Sequence, residues 1–179
     1  MIKLNIGSGG KKIDGYVNVD CQSHETPDVL CDIGRDPWPF EDNCAEDVVA
    51  HHVLEHLTTP EFMHCMQELY RVCRHGTLVH VALPHPRHDV FLGDPTHQHP
   101  ILPMTLLMFS RSQLEALRAR DQILTPFWKY LGVDFFLEPR IKYRFDESVD
   151  PDDPELAWKM KHLNNIVMEF ECTLRVVKC

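Results

Sequence analysis

No stretch of the 179 residues approaches the roughly 18 consecutive apolar side chains that a membrane-spanning helix requires. The opening Met1–Ile6 is too short an apolar run for a secretory leader before Gly7 interrupts it, so a cytoplasmic location is expected. Cysteines spaced C-x-x-C are missing. The seven present, Cys21, Cys31, Cys44, Cys65, Cys73, Cys172 and Cys179, are odd in number, which argues against a zinc knuckle or a disulfide framework and favours reduced core thiols. Basic charge is in deficit, 18 Lys and Arg against 27 Asp and Glu, a formal net charge of −9, so nucleic acid is not an expected partner. No internal repeat or low-complexity tract interrupts the chain. What is present is ordinary for one folded domain, 44% hydrophobic and 25% charged residues. The unusual number is 12 histidines; protonating all of them would move the charge from −9 to −9 + 12 = +3, so the acidic balance holds near neutral pH only.

Strand and helix signals alternate along the chain. Lys3–Ile6 is a short apolar run that stops at Gly7-Ser8-Gly9-Gly10, the pattern of a buried strand entering a glycine loop. Tyr16–Asp20, Asp28–Asp32 and Glu46–Ala50 are three further short strands, the last leading into His51-His52. A helix is expected from Thr59-Pro60-Glu61, with Thr59 as cap, Phe62, Cys65, Met66, Leu69, Val72 and Cys73 on one face, and Gly76 as the stop. Thr77–Leu83 is a fifth strand. Residues 84–109 have no clean period and are expected to form a long functional loop. A second helix follows, with Ser110 and Gln113, or Ser112 and Glu115, fitting a capping box. Period two then appears at 140–145 and 168–176, one strand basic outside and the other acidic, which suits an antiparallel pair. Residues 146–165 lie between them as an insertion, with a short helix starting at Asp153-Pro154-Glu155. These alternations describe an α/β, Rossmann-like open sheet of about seven strands.

A glycine loop after a first strand lets backbone N–H groups approach a ligand with no Cβ in the way. The dinucleotide version needs G-x-G-x-x-G, and here the sixth position is Lys12. Asp20 also lies only 13 residues after Gly7, too few for a strand, a turn and a crossover helix, so NAD is disfavoured. In order, Leu4-Asn5-Ile6-Gly7-Ser8-Gly9, Gly15-Tyr16-Val17-Asn18-Val19-Asp20, Asp28 to Asp32 with Pro39-Phe40, and Val53-Leu54-Glu55-His56-Leu57 resemble the class I S-adenosylmethionine-dependent methyltransferases. The likeness is to their small bacterial type 11 branch with a shortened first crossover, and it runs from residue 3 to about 120.

The resemblance implies a single methyltransferase domain over 1–179, the strand order 3-2-1-4-5-7-6 with strand seven antiparallel, and S-adenosyl-L-methionine as cofactor. It implies Gly7, Ser8 and Gly9 beneath the methionine part, Asp20 with Cys21 at the ribose, Asp32 with Ile33 at the adenine, and His51 and His52 where the sulfonium methyl points. Asp20 can also be a turn residue and Asp32 a cap. The 84–109 loop then borders the acceptor. There His97 is a candidate base oriented by Asp94, with His52 as the other proton acceptor. A metal held by His97-x-His99 with His51, His52 or Asp94 is the rival reading, although the spacing assigns no metal ligands.

The expected function is methyl transfer to a small or medium acceptor, a small molecule, glycan or peptide presenting a hydroxyl. A cofactor-binding module without an acceptor site, or a His/Asp metal-dependent enzyme, are the alternatives. Lys11 and Lys12 are expected in a solvated turn, and Trp38, Trp128 and Trp158 in packing, while part of Phe127–Tyr130 suits an acceptor wall. The short crossover leaves one face of strands one and two without its helix. The 154–164 helix, a loop or a second subunit must cover it, hence an expected homodimer.

Overall fold

A computed structural model describes residues 1–122 and 124–178, so Cys179 lies outside the described residues. Eight strands form one sheet: β1 (Ile2–Ile6), β2 (Val17–Asp20), β3 (Val29–Leu30), β4 (Ala45–His51), β5 (Cys73–Pro84), β6 (Phe135–Leu137), β7 (Lys142–Phe145) and β8 (Val167–Val176). The order is β3-β2-β1-β4-β5-β8-β6, with β7 also paired to β8. The pairs from β3 through β5 are parallel, and β8 is antiparallel to β5, β6 and β7. The expected order therefore stands, with the sixth position split into β6 and β7 around Glu138-Pro139-Arg140-Ile141. Proline lacks the N–H that a ladder needs, which accounts for the break. β6 has three residues and too little alternation to announce itself.

One face of the sheet is the core. Leu4, Ile6, Val19, Val48, Ala50, Val79, Val81 and Leu174 are buried there with residues of helices α1 (Thr59–Val72), α3 (Pro103–Leu107) and α5 (Phe127–Leu131), while α4 (Arg111–Arg118) lies beside β6. The alternate positions point the other way and are mostly polar, with Val49 and Leu78 as exceptions. The register aligns Asn18, Asn5, Val49, His80 and Thr173 in one row, and Lys3, Asp47, Leu78 and Arg175 in the next. A purely parallel sheet is usually apolar on both faces. Here the period-2 pattern declares that one face meets water.

The short crossover is confirmed, and a loop fills the missing helix's place. Residues 10–16 lie over β1 and β2, fastened by two asparagines that are themselves buried. Asn5 Nδ2 donates to the Lys11 carbonyl (3.0 Å) and to Asn18 Oδ1 (2.9 Å), and Ile13 N–H donates to the same Asn18 oxygen (2.9 Å). Asn18 Nδ2 in turn donates to the Tyr16 carbonyl (3.1 Å) and to Asp28 Oδ2 (2.8 Å). Tyr16 donates its hydroxyl to Asp47, which pushes its pKa up to about 12. The cover is thus the loop, one of the three expected, and it is tied down by polar rather than apolar contacts. The 146–165 segment does not serve as the cover. It carries α6 (Leu156–His162), whose carbonyls at Met160 and Lys161 receive the Arg87 guanidinium.

Several boundaries differ from expectation for local reasons. Thr58, not Thr59, caps α1: its N–H donates to Glu61 Oε2 at 2.8 Å, a capping box at the T-x-x-E spacing with Pro60 in the first turn. The helix ends at Val72, because Cys73 already pairs with Ala45, and Gly76 sits in a bulge of β5 at φ +83°. The 84–109 segment contains α2 (Asp89–Leu92) and α3 rather than being a plain loop. Ser110 is the N-cap of α4, but its hydroxyl is buried without a partner. Gln113, expected in a capping box, instead bonds both the N–H and the carbonyl of Leu137 (2.9 Å each) and so anchors β6. Four cysteines, Cys31, Cys65, Cys73 and Cys172, are buried free thiols. Burial pushes Cys31 to about 11 and Cys73 and Cys172 to about 12, which keeps these three protonated and inert.

Candidate functional site

The carboxyl ends of β1, β2 and β4 converge on a cleft of about 500 Å³, lined by Gly7, Gly9, Asp20, Asp32, Ile33 and His52 among others. Open α/β sheets bind ligands outside these strand ends. Gly7 is at φ +63°, and a Cβ there would lie 2.2 Å from Val53 Cγ2, so only glycine closes this turn. Gly9, at φ +47°, donates its N–H to Asp20 Oδ2 (2.8 Å), and Gln22 N–H donates to Oδ1 (2.8 Å). Each Asp20 oxygen is thus fixed by one amide and retains a lone pair for a ligand hydroxyl. Asp32 caps its own turn, accepting from Gly34 N–H at 3.0 Å, so the cap reading of this residue is realised within the cleft wall. Ile33 is buried beside it, its carbonyl accepting from Trp38 Nε1 (3.0 Å). Cys21 also lines the cleft. Burial, with the Asp20 and Asp32 charges, raises its thiol pKa.

A second cleft of about 530 Å³ adjoins the first, and Gly7, Gly9 and His52 line both. Its other walls include Ser8, Lys11, Lys12, His51, Glu169 and Glu171. Ser8 and His51 line this second cleft and not the first. Lys11 and Lys12, expected in a solvated turn, form part of its wall. Aromatic residues 127–130 do not: Phe127 packs on Phe109 with ring centroids 5.4 Å apart, on the core side of the sheet. Of the tryptophans Trp38 is buried as expected, whereas Trp158 is exposed and stacks on His162.

At the junction, His52 takes the left-handed conformation (φ +53°), uncommon for a residue with a side chain and frequent at functional sites. That backbone sets the imidazole between two acids, Nδ1 3.5 Å from Glu55 Oε1 and Nε2 2.6 Å from Glu169 Oε2. The Glu55 carboxylate, with Glu169 adding to it, raises the His52 pKa against the effect of partial burial. Its neighbour moves the opposite way. Burial, with the adjacent His52 charge, lowers the His51 pKa. Adjacent titratable groups pushed apart in this manner are a pattern of acid–base sites.

The other histidines separate rather than gather in one pocket. His97 Nε2 is 3.7 Å from Asp94 Oδ2, so the expected pair is close, but Nδ1 lies 2.9 Å from the Phe91 carbonyl and the ring stacks on Phe91. The His97 side chain is only 8% exposed and lines neither cleft, a poor placement for a base. His99, the other half of the H-x-H pair, turns away to pack on Phe62 at 4.7 Å. His88 is buried, with Nε2 3.2 Å from Asp146 Oδ2. What His97 does meet is His56, at 4.8 Å between ring centroids, beside buried Glu55. Glu55 had no role on sequence grounds; the signal was an acid next to a histidine just after β4.

Comparisons with known proteins agree with this geometry. A family model described as a methyltransferase domain matches residues 16–81, from β2 into β5. A S-adenosylmethionine-dependent methyltransferase from Archaeoglobus fulgidus is similar in structure, with a TM-score of 0.66 at 17% identity over 97% of this chain and 85% of that one. Another from Methanosarcina mazei scores 0.56 at 15% identity, over 98% and 92%. The [4+2]-cyclase SpnF scores 0.55 at 16% identity, over 99% and 75%, so likeness of sheet does not by itself fix the reaction. No curated protein matches the sequence. Among the described residues no helix is long and apolar enough to cross a membrane.

Proposed function

We propose that this chain, a class I S-adenosylmethionine-dependent methyltransferase by its domain match over 16–81 and its sheet, binds the cofactor in the first cleft and methylates a hydroxyl acceptor in the second. The observation that carries the reading is the Asp20 carboxylate, immobilised by Gly9 and Gln22 N–H groups at the end of β2 and facing the tight turn at Gly7. A fixed carboxylate with two free lone pairs suits the two hydroxyls of a ribose. The cradle at Gly7 and Gly9 leaves room for the amino-acid end of the ligand, and Asp32 with Ile33 borders the adenine. S-adenosylmethionine supplies an electrophilic sulfonium methyl, which leaves orientation and proton removal to the protein.

His51 is the better base, since it lines the second cleft and its environment favours the neutral ring. His52, gripped by Glu55 and Glu169, fixes the junction between the clefts. A cleft of about 530 Å³ bordered by both lysines and glutamates suits a small polar acceptor, a metabolite or the end of a glycan or peptide.

Calorimetry with S-adenosylhomocysteine tests the cofactor half. Saturable binding is expected for the wild type, weakened at least about tenfold in Asp20→Ala, with no heat from NAD. Absent binding, or binding undiminished in Asp20→Ala, overturns the reading. For the acceptor half, transfer of labelled methyl groups into a metabolite extract is expected to be lost in His51→Ala while S-adenosylhomocysteine still binds.

A further inference from the structure

At the wall of the first cleft, which His56 helps to line, Glu55, His56 and His97 each bring one potential ligand atom to within 4.8 Å of the others. We propose that these side chains form a site for a divalent transition-metal ion of the zinc class, one that clamps the 94–99 loop onto the 3-10 turn following β4. The site shares His56 with the lining of the first cleft, but it does not rest on what that cleft binds.

The first support is Glu55. Its side chain is 1% exposed, and neither carboxylate oxygen has a hydrogen-bond partner. The His52 imidazole, 3.5 Å from Oε1, is its ion-pair partner on one side, and Oε2 has no partner of its own. A buried carboxylate satisfied on one side only is costly, and a cation bound on the other side adds to its compensation.

The second support is the state of the two rings. His97 Nδ1 is 2.9 Å from the Phe91 carbonyl, which can only accept, so Nδ1 carries the proton and Nε2 the lone pair. His56 Nδ1 is 3.0 Å from Thr96 Oγ1, whose own proton goes to Asp94 Oδ1 at 2.6 Å. Nδ1 of His56 therefore donates as well, and its Nε2 is left as a ligand atom. Outer hydrogen bonds of this kind orient and tune metal-binding imidazoles. Two imidazoles and one carboxylate suit zinc and its neighbours in the first transition row better than magnesium or calcium.

The third support is a rigid frame. Gln98 and His99 N–H groups both donate to the Glu55 carbonyl, at 2.8 and 2.9 Å, so the two ligand-bearing segments are already joined. Asp94 Oδ2, 3.7 Å from His97 Nε2, is near the spacing of about 3.4 Å expected for two ligands on one tetrahedral ion with bonds of ~2.1 Å. Asp94 stands outside the three-residue cluster, however, so water is the expected further ligand.

The test uses untagged full-length protein, stripped with a chelator and titrated with zinc by calorimetry and cobalt(II) by visible absorption. One equivalent of each ion is expected, with cobalt ligand-field bands of a low-coordinate site and a higher Tm with zinc. Glu55→Gln and His97→Gln, verified as folded by circular dichroism, are each expected to bind at least about tenfold more weakly and to lose the cobalt bands. Thr96→Val keeps all three ligands and removes only the nearer acceptor for His56 Nδ1, leaving the Thr96 carbonyl at 3.3 Å, and a smaller loss is expected. His75→Ala, at an exposed histidine elsewhere, serves as the unchanged control. No stoichiometric binding to the wild type, or undiminished binding in both ligand variants, overturns the proposal.

Discussion

The two faces of the sheet are made by alternate residues of the same strands, yet they obey different rules. On one face Leu4, Val48, Val79 and Leu174 run across β1, β4, β5 and β8 as a continuous buried wall under α1. One residue along, Lys3, Asp47, Leu78 and Arg175 form the matching row on the other side, where only Leu78 is apolar. The first face derives its stability from area removed from water, which is undirected and large. The second depends on hydrogen bonds and ion pairs, which are directional and individually small because water competes for them. Loss of the crossover helix is tolerable for this reason. With polar side chains already on that side, a short loop tied by Asn5 and Asn18 is sufficient cover.

Substitutions can sharpen or break this contrast. The largest effect is expected on the core side: Phe170→Ala, at a fully buried position of β8, should cost about 3–5 kcal/mol in urea unfolding. On the polar side the strongest response belongs to Asn5→Ala, about 1–3 kcal/mol, since Asn18 and the Lys11 carbonyl lose a buried partner. A loss of the Phe170 size at Asn5, or none at all, would contradict the account of how the loop is held.

A smaller, pH-dependent contribution comes from Asp28, whose carboxyl is held below the ordinary carboxylate range by the Asn18 backbone N–H and then its amide. The folded value is the lower one. Its stabilisation is therefore present above the unfolded carboxylate pKa and fades as pH falls through the folded value. Urea midpoints followed from neutral to acid pH should show a shallower acid loss in Asp28→Asn than in the wild type. Least sensitive is Thr173→Ala, next to the core residue Leu174 but facing water; its unfolding free energy should stay within about 0.5 kcal/mol of wild type.

Much of the fold was legible because it depends on periodicity. The charged alternation of 140–145 against 168–176 placed two strands side by side, and the structure pairs Lys142 with Glu171 and Arg144 with Glu169, at 2.9 and 3.3 Å. The glycine loop after β1 and Asp20 at the end of β2 were visible as separate signals, and the structure joins them through the Gly9 N–H to Asp20 bond. β6 was not, since Phe135-Phe136-Leu137 is too short for a period and is fixed by Gln113 from another element. The histidines misled for a related reason. Their density in 85–99 says nothing about which side of a turn each occupies. His97 and His99, two residues apart, pack against Phe91 and Phe62 respectively. Glu55 escaped notice because its importance is a matter of burial, which no local spacing reveals.

The break between β6 and β7 at Pro139 also bears on the behaviour of many copies together. An open sheet offers two margins where a foreign strand can dock and begin a fibre. At one margin β3 presents only Val29 and Leu30; at the other, Glu138–Ile141 interrupts the ladder. Neither gives an incoming strand a long template. Edge-to-edge growth of the sheet is thus disfavoured at both margins by the length of the strands themselves.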